Sequence, residues 1–236
     1  MKKIGVIGGL SWVSTAEYYR RLNQITQERL GGVHSARLVV ESVDRQAYVD
    51  AVIRDGDEAA ACRQVLEAAQ GVEAAGAAFI VISCNDVHRF VPEIEPHIGI
   101  PFLHIADVTA RAIAGQGLRN VSLLGVRKTM EGDFYPQIFK KYGIDVVVPN
   151  ETEKTYIHDK IYEELVQDVF TDETRAGYLR IIQDLSVRGA EGVVLGCTEI
   201  PLLLPPETIE FPSFSTTELH CRAAIDAAIR KSARPQ

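Results

Sequence analysis

Two cysteines carry the chemistry that this sequence can do. Cys84 follows the apolar run "FIVIS" at residues 79–83 and precedes Asn85 and Asp86; Cys197 follows "GVVLG" at 192–196 and precedes Thr198 and Glu199. The thiols lie 113 positions apart, and at that single offset Gly76-Ala77 falls over Gly189-Ala190, Val81 over Val194 and Asn85 over Thr198. We read an internal repeat. A strand that stops on a thiol and then on polar residues presents the sulfur beside backbone N–H groups at the start of a turn or helix, which binds anions and lowers a thiol's pKa. An unperturbed thiol, with pKa near ~8.5, needs only a small push to act as base or as acid near neutrality. Two thiols facing opposite sides of one carbon would take a proton from one face and return one to the other. The competing account is that cysteine is often buried and that both are small core residues; the matched placement and the polar neighbours favour chemistry.

The elements that must hold these thiols follow from the apolar pattern. Strand-like runs "KIGVIG", "RLVVES", "FIVIS" and "PFLHI" alternate with helical stretches over about 15–30, 57–75 and 106–115, and the alternation begins again with "VSLLGV", "DVVVP", "GVVLG" and "FPSFS", ending in a helix over about 217–231. That is the pattern of parallel sheets covered by helices. The expected fold is α/β: two similar doubly wound parallel-sheet domains related by internal duplication, residues 1–115 and 116–236, with the C-terminal helix able to pack on the first. Ligands of such sheets bind outside the carboxyl ends of the strands. Both cysteines fall there, so the expected active site is the cleft between the domains, one thiol on each wall.

Composition limits the partners. The 236 residues carry a net charge of −7, with basic residues scattered, so no footprint for nucleic acid is present and a small molecule is the expected ligand. The opening apolar run is only about seven residues long, which excludes a membrane span and a signal peptide. The four cysteines, at 62, 84, 197 and 221, form no CxxC pair; they read as reduced cytoplasmic thiols, and no metal site is expected. Cys62 and Cys221 sit in helical stretches and read as structural. "GVIGGLS" lacks the GxGxxG spacing of a dinucleotide loop and reads as a tight strand-to-helix turn. Ser14 to Glu17 and Ser215 to Glu218 have capping-box spacing. His88, four residues past Cys84, could serve as its proton partner or satisfy a turn. Arg45, after the second strand, could meet a distal substrate carboxylate or be solvated.

Several segments, "IGVIGGLSWVSTAEYY", "LGGVHSA", "PFLHIAD", "TMEGDFY" and "GCTEIPLLLP", resemble the cofactor-independent aspartate/glutamate racemases, and the likeness spans essentially the whole chain. The resemblance implies two α/β domains that each supply one cysteine as acid or base, with no pyridoxal phosphate, metal or nucleotide. Carried onto this chain, it makes Cys84 and Cys197 the catalytic pair and Asn85 and Thr198 contacts of the substrate's α-carboxylate or amino group. Asp86, Glu199, Leu10, Ser14 and Arg45 complete the expected substrate-side set. The chain departs from the family pattern at Asp86, where Thr is usual after Asn, and at "STT" (Ser215 to Thr217), where Asp-Thr-Thr is usual. The expected activity is an amino-acid racemase or epimerase acting in the cytoplasm, with a homodimer admitted. Two other readings stand beside it: a hydrolase or lyase with Cys84 as nucleophile and His88 as base, and a binding protein that has lost turnover.

Overall fold

Strands covered on both faces bury every side chain, and Ile4–Gly8, Phe79–Ile82 and Gly192–Leu195 are buried at every position. The computed structural model describes residues 1–230. In chain order it contains β1 (Ile4–Gly8), α1 (Trp12–Leu30), β2 (Leu38–Ser42), α2 (Arg45–Val49), α3 (Glu58–Ala74), β3 (Phe79–Ile82), α4 (Val91–Ile94), α5 (Ile105–Gly115), β4 (Asn120–Leu124), α6 (Arg127–Glu131), α7 (Phe134–Lys140), β5 (Asp145–Val147), α8 (Glu151–Glu163), α9 (Asp172–Val187), β6 (Gly192–Leu195), α10 (Ile200–Leu203), β7 (Ser213–Ser215) and α11 (Thr216–Ile229). A π-helical turn, Asp50–Arg54, continues α2, and a 3-10 turn, Asp86–Phe90, leads into α4. Among the described residues no helix is long and apolar enough to cross a membrane.

Two parallel sheets result, in the orders β2-β1-β3 and β5-β4-β6-β7. Their registers repeat: Ile4 faces Phe79 in the first, and Val121 faces Gly192, the residue equivalent to Phe79 by the 113-residue offset, in the second. The fourth strand expected at "PFLHI" is reduced to one bridge, Ile80 with Phe102. Pro101 accepts from Ile80 N at 2.9 Å and Leu103 N donates to Ile80 O at 2.8 Å. Pro101 has no N–H of its own to extend the ladder.

The chain forms two compact units: one of residues 1–83, 90–103 and the segment from His220, the other of residues 84–89 and 104–219. In the first unit, Ile4, Val6, Phe79 and Val81 pack with Tyr18, Leu22 and Ile25 of α1 and with Cys221, Ala224, Ile225 and Ala228 of α11. His220 is wired into that core, its Nε2 donating to Leu103 O at 2.7 Å and its Nδ1 accepting from the Tyr18 hydroxyl at 2.8 Å. In the second unit, Ala106, Ala110 and Ile113 of α5 pack with Val121, Leu123, Phe139, Val194 and Phe214. The sequence pattern groups α5 with the first half; its packing is in the second.

The start of α1 differs from the expected capping box. Ser11, not Ser14, is the N-cap, and its Oγ accepts from Ser14 N at 3.3 Å. Gly9, at φ 82°, turns the chain straight from β1 into the helix, so the first competent cap is reached three residues early. At the start of α11 one of the two bonds of the expected box is seen, Ser215 Oγ accepting from Glu218 N at 3.3 Å.

Candidate active site

Each candidate thiol lies two residues beyond the end of its strand, Cys84 after Ile82 and Cys197 after Leu195. Both belong to the second compact unit. Beyond β6, Gly196 N donates to Leu124 O at 2.7 Å, and a Cβ at Gly196 would stand 2.7 Å from Leu123 Cδ1 and 2.8 Å from Leu124 O. Only glycine lets the two backbones approach that closely just before the sulfur.

Cys197 is 9% exposed, and its Sγ donates to Glu199 Oε2 at 3.1 Å. Thr198 Oγ1 donates to the same oxygen at 2.8 Å. Glu199 Oε1 is buried with no hydrogen-bond partner among the described residues, as are Thr129 Oγ1 and Thr217 Oγ1. Burial pushes the Cys197 thiol well above the usual thiol range, and the charge of Glu199 pushes the same way. The negative charge of a Cys84 thiolate would raise it further, so the two sulfurs lie within electrostatic reach of each other.

Cys84 keeps partial exposure. Loss of water pushes its pKa up to about 12, helped by the carboxylate of Asp86; the Val87 N–H and the Arg89 guanidinium pull in the opposite direction. Asp86 itself is 9% exposed and ion-paired with Arg89, whose NH1 also donates to Asp86 O at 3.1 Å. The unusual anion beside Cys84 is therefore half of a neutral couple.

Asn85, 3% exposed, is held at both ends of its amide. Oδ1 accepts from the Tyr135 hydroxyl at 2.6 Å, and Nδ2 donates to Thr216 Oγ1 at 3.1 Å, which in turn donates to Leu195 O at 2.8 Å. One further hydrogen and one further lone pair remain on the amide for a ligand. Burial raises the Tyr135 phenol far above its usual range, so it is a fixed donor. His88 does not meet the Cys84 sulfur through Nδ1, which donates instead to the Cys84 carbonyl at 2.8 Å.

Leu10, Ser14 and Arg45 lie in the first unit. Ser14 is fully buried and its Oγ donates to Ser83 O at 2.6 Å. Arg45, opening α2 behind the N-cap Asp44, donates from NH1 to Leu10 O at 2.5 Å and so braces the loop after β1.

Three residues at the site escape sequence reasoning. Arg89 had a signal, the i,i+3 spacing from Asp86 that suits an ion pair on a helical turn. Tyr135 and Thr216 lie in the quoted segments "TMEGDFY" and "STT", but nothing local tied them to Asn85, 50 and 131 positions away.

Residues 7–224 match the sequence profile of the Asp/Glu/Hydantoin racemase family. Among solved structures, a candidate Asp/Glu racemase from Yersinia pestis is 40% identical with a TM-score of 0.89, covering 98% of this chain and 100% of the other. An aspartate racemase homologue from Pyrococcus horikoshii is 31% identical with a TM-score of 0.84, again over 98% and 100% of the two chains. The broad specificity amino-acid racemase RacX of Bacillus subtilis is 21% identical over 94% of this chain and 96% of its own length. A match over nearly the whole chain, with the two-sheet α/β fold in common, places this protein in the Asp/Glu/Hydantoin racemase family.

Proposed function

We propose that the chain is an amino-acid racemase that needs no pyridoxal phosphate, metal or nucleotide, and that it inverts Cα by proton transfer between Cys84 and Cys197. The observation that carries this reading is the pairing of each strand-end thiol with its own carboxylate two residues on, Asp86 and Glu199, in one compact unit. At rest both thiols are protonated, because burial raises both. A bound substrate brings an α-ammonium, and a positive charge nearby favours thiolate. Glu199 Oε2 takes the Cys197 proton. The Cys197 thiolate then removes the proton from one face of Cα, and the Cys84 thiol gives its proton to the other, leaving Cys84 as thiolate beside the Val87 N–H and Arg89. The opposite enantiomer is taken from that state with the roles exchanged; on product release Glu199 gives its proton to water and Cys84 takes one back, which restores both thiols and the carboxylate. Buried polar groups require partners; Glu199 Oε1 suits the ammonium, and the hydroxyls of Thr129 and Thr217, with Asn85 and Thr198, suit the α-carboxylate.

The Asp86–Arg89 couple supports amino acids with uncharged side chains as substrates. A lone Asp86 would repel a second carboxylate and attract a second ammonium; neutralised by Arg89 it does neither strongly. The Bacillus subtilis relative is named a broad specificity amino-acid racemase, a name that does not confine the substrate to aspartate or glutamate. A hydrolase with His88 as base is not favoured: the chain belongs to a racemase family, and the His88 contact with the Cys84 residue runs from Nδ1 to its carbonyl oxygen.

The test is incubation of each enantiomer of aspartate, glutamate, lysine and homoserine in deuterium oxide, followed by circular dichroism and by NMR at Cα. Racemisation with label at Cα is expected, lost by at least tenfold in Cys84→Ser and in Cys197→Ser, because a hydroxyl is too weak a base at neutral pH. Each single variant should still exchange label into the one enantiomer that its remaining thiol faces. A binding protein would give no label, and a Cys84 nucleophile would survive Cys197→Ser.

A further inference from the structure

The turn that carries Cys84 is tied to α5 through two histidines. His88 is fully buried within the 3-10 turn Asp86–Phe90, and its Nδ1 lies 2.8 Å from the Cys84 carbonyl oxygen. A carbonyl only accepts, so the His88 proton sits on Nδ1. His104 is the N-cap of α5, its Nδ1 accepting from Ala106 N at 3.2 Å. That fixes the proton of the neutral His104 ring on Nε2, from which the ring bonds the main chain of His88. Burial lowers the His104 pKa to about 4, so this arrangement persists at every pH above that. The two rings lie 4.9 Å apart, His104 meets Phe134 at 6.3 Å, and Phe134 meets Tyr135 at 4.8 Å. Tyr135 returns to Asn85, the neighbour of Cys84. The circuit closes on the turn it began from.

We infer that His88, held by His104, is a positioning residue that fixes the Cys84 turn through the Cys84 carbonyl, keeping the Val87 N–H against the sulfur, and that it takes no part in proton transfer. The geometry favours this over an acid–base role: the group that serves the sulfur is the Val87 N–H, whose direction is set by the turn, and the His88 Nδ1 meets the Cys84 residue at its carbonyl oxygen. Disengaging His88 frees the Cys84 carbonyl, lets the turn relax, and removes one of the two influences that favour the Cys84 thiolate.

The inference rests on the racemase reading for its kinetics but not for its chemistry at sulfur, and the experiment reads both. Asparagine places an amide N–H where His carries Nδ1–H, and glutamine does not. His88→Asn, His88→Gln and His88→Ala are compared with wild type by the rate of iodoacetamide labelling at Cys84, resolved by mass spectrometry without substrate, and by the pH profile of racemisation. We expect His88→Asn to stay within about threefold of wild type in both, and the other two to label about tenfold more slowly at fixed pH, one unit of thiol pKa, with the shape of the pH–rate profile kept. His88→Asn as slow as His88→Ala, with one limb of the profile lost, would make His88 an acid or base and overturn the inference. So would three variants all labelling and turning over like wild type. Should His88→Gln and His88→Ala fail to fold, His88→Asn decides alone, by matching or missing wild type. If labelling follows the expected order while no variant, nor wild type, racemises any substrate, the positioning role stands and the racemase reading falls.

Discussion

The hydrogen of the Cys197 thiol is directed at Glu199 Oε2, 3.1 Å away. In the proposed mechanism this one carboxylate accepts the proton that Cys197 loses and, by its charge, makes that loss harder while no substrate is bound. Removing the charge separates the two effects. In Glu199→Gln the Cys197 pKa should fall, so at fixed pH more thiolate is present and alkylation of Cys197 should quicken by about tenfold for each unit of fall. Racemisation should slow at least tenfold, with KM rising, because the ammonium loses its partner. Alkylation unchanged in this variant would remove Glu199 from control of the thiol.

Without substrate, Cys84 should respond to pH as a strongly suppressed thiol. Its pKa is raised to about 12, so the thiolate fraction grows tenfold per pH unit up to that region and does not level off near the usual thiol value. Alkylation of Cys84 should keep climbing between about pH 7 and pH 10, where an unperturbed thiol would already be flattening near ~8.5. Adding a poorly turned-over amino acid, with its ammonium, should move the curve to lower pH. A plateau near pH 9 without ligand would contradict the burial that sets the shift.

Asp86 and Arg89 make a paired test of specificity. Asp86→Thr leaves the guanidinium uncompensated, so aspartate and glutamate should gain by about tenfold in kcat/KM relative to homoserine. Arg89→Gln leaves the carboxylate uncompensated, so the acidic substrates should lose, lysine should gain, and labelling of Cys84 should slow as its pKa climbs. Parallel changes on all four substrates would show that the couple shapes the turn without selecting the side chain.

Gly9 tests the turn that opens α1. Its φ is 82°, and a Cβ there would stand 2.1 Å from Val43 O and 2.6 Å from Val43 N, both backbone atoms. Gly9→Ala should cost roughly 2 kcal/mol or more, read as a lower denaturation midpoint in urea. Gly56, also at positive φ but with nothing within 4 Å of its Cβ position, is the control and should lose less as Ala.

Much of this architecture was legible because burial on both faces writes itself as continuous apolar sequence. β1, β3 and β6 stand out for that reason, and the offset linking Cys84 to Cys197 reappears as the shared register of Phe79 and Gly192. "PFLHI" has the same apolar look and yields a single bridge, because the missing N–H of Pro101 is a matter of hydrogen bonding and not of hydropathy. The π-helical turn Asp50–Arg54 had no periodic signal. At the site, the thiols and their polar neighbours were visible as local words, whereas the Tyr135–Asn85–Thr216 chain joins residues brought together only by folding. The choice of Ser11 over Ser14 as cap turned on the φ of Gly9, a conformational fact that spacing alone does not encode.

The duplicated halves have spent their equivalent carboxylates differently: Asp86 is tied up with Arg89, and Glu199 receives the thiol hydrogen. In a racemase this broken symmetry meets a thermodynamic constraint. The two enantiomers of a substrate with one stereocentre are equal in free energy, so kcat/KM must be the same in both directions whatever surrounds each thiol. The inequality of Asp86 and Glu199 can therefore surface only as compensating differences in kcat and KM for the two enantiomers, and as primary deuterium isotope effects of unequal size when the proton is taken by Cys197 or by Cys84.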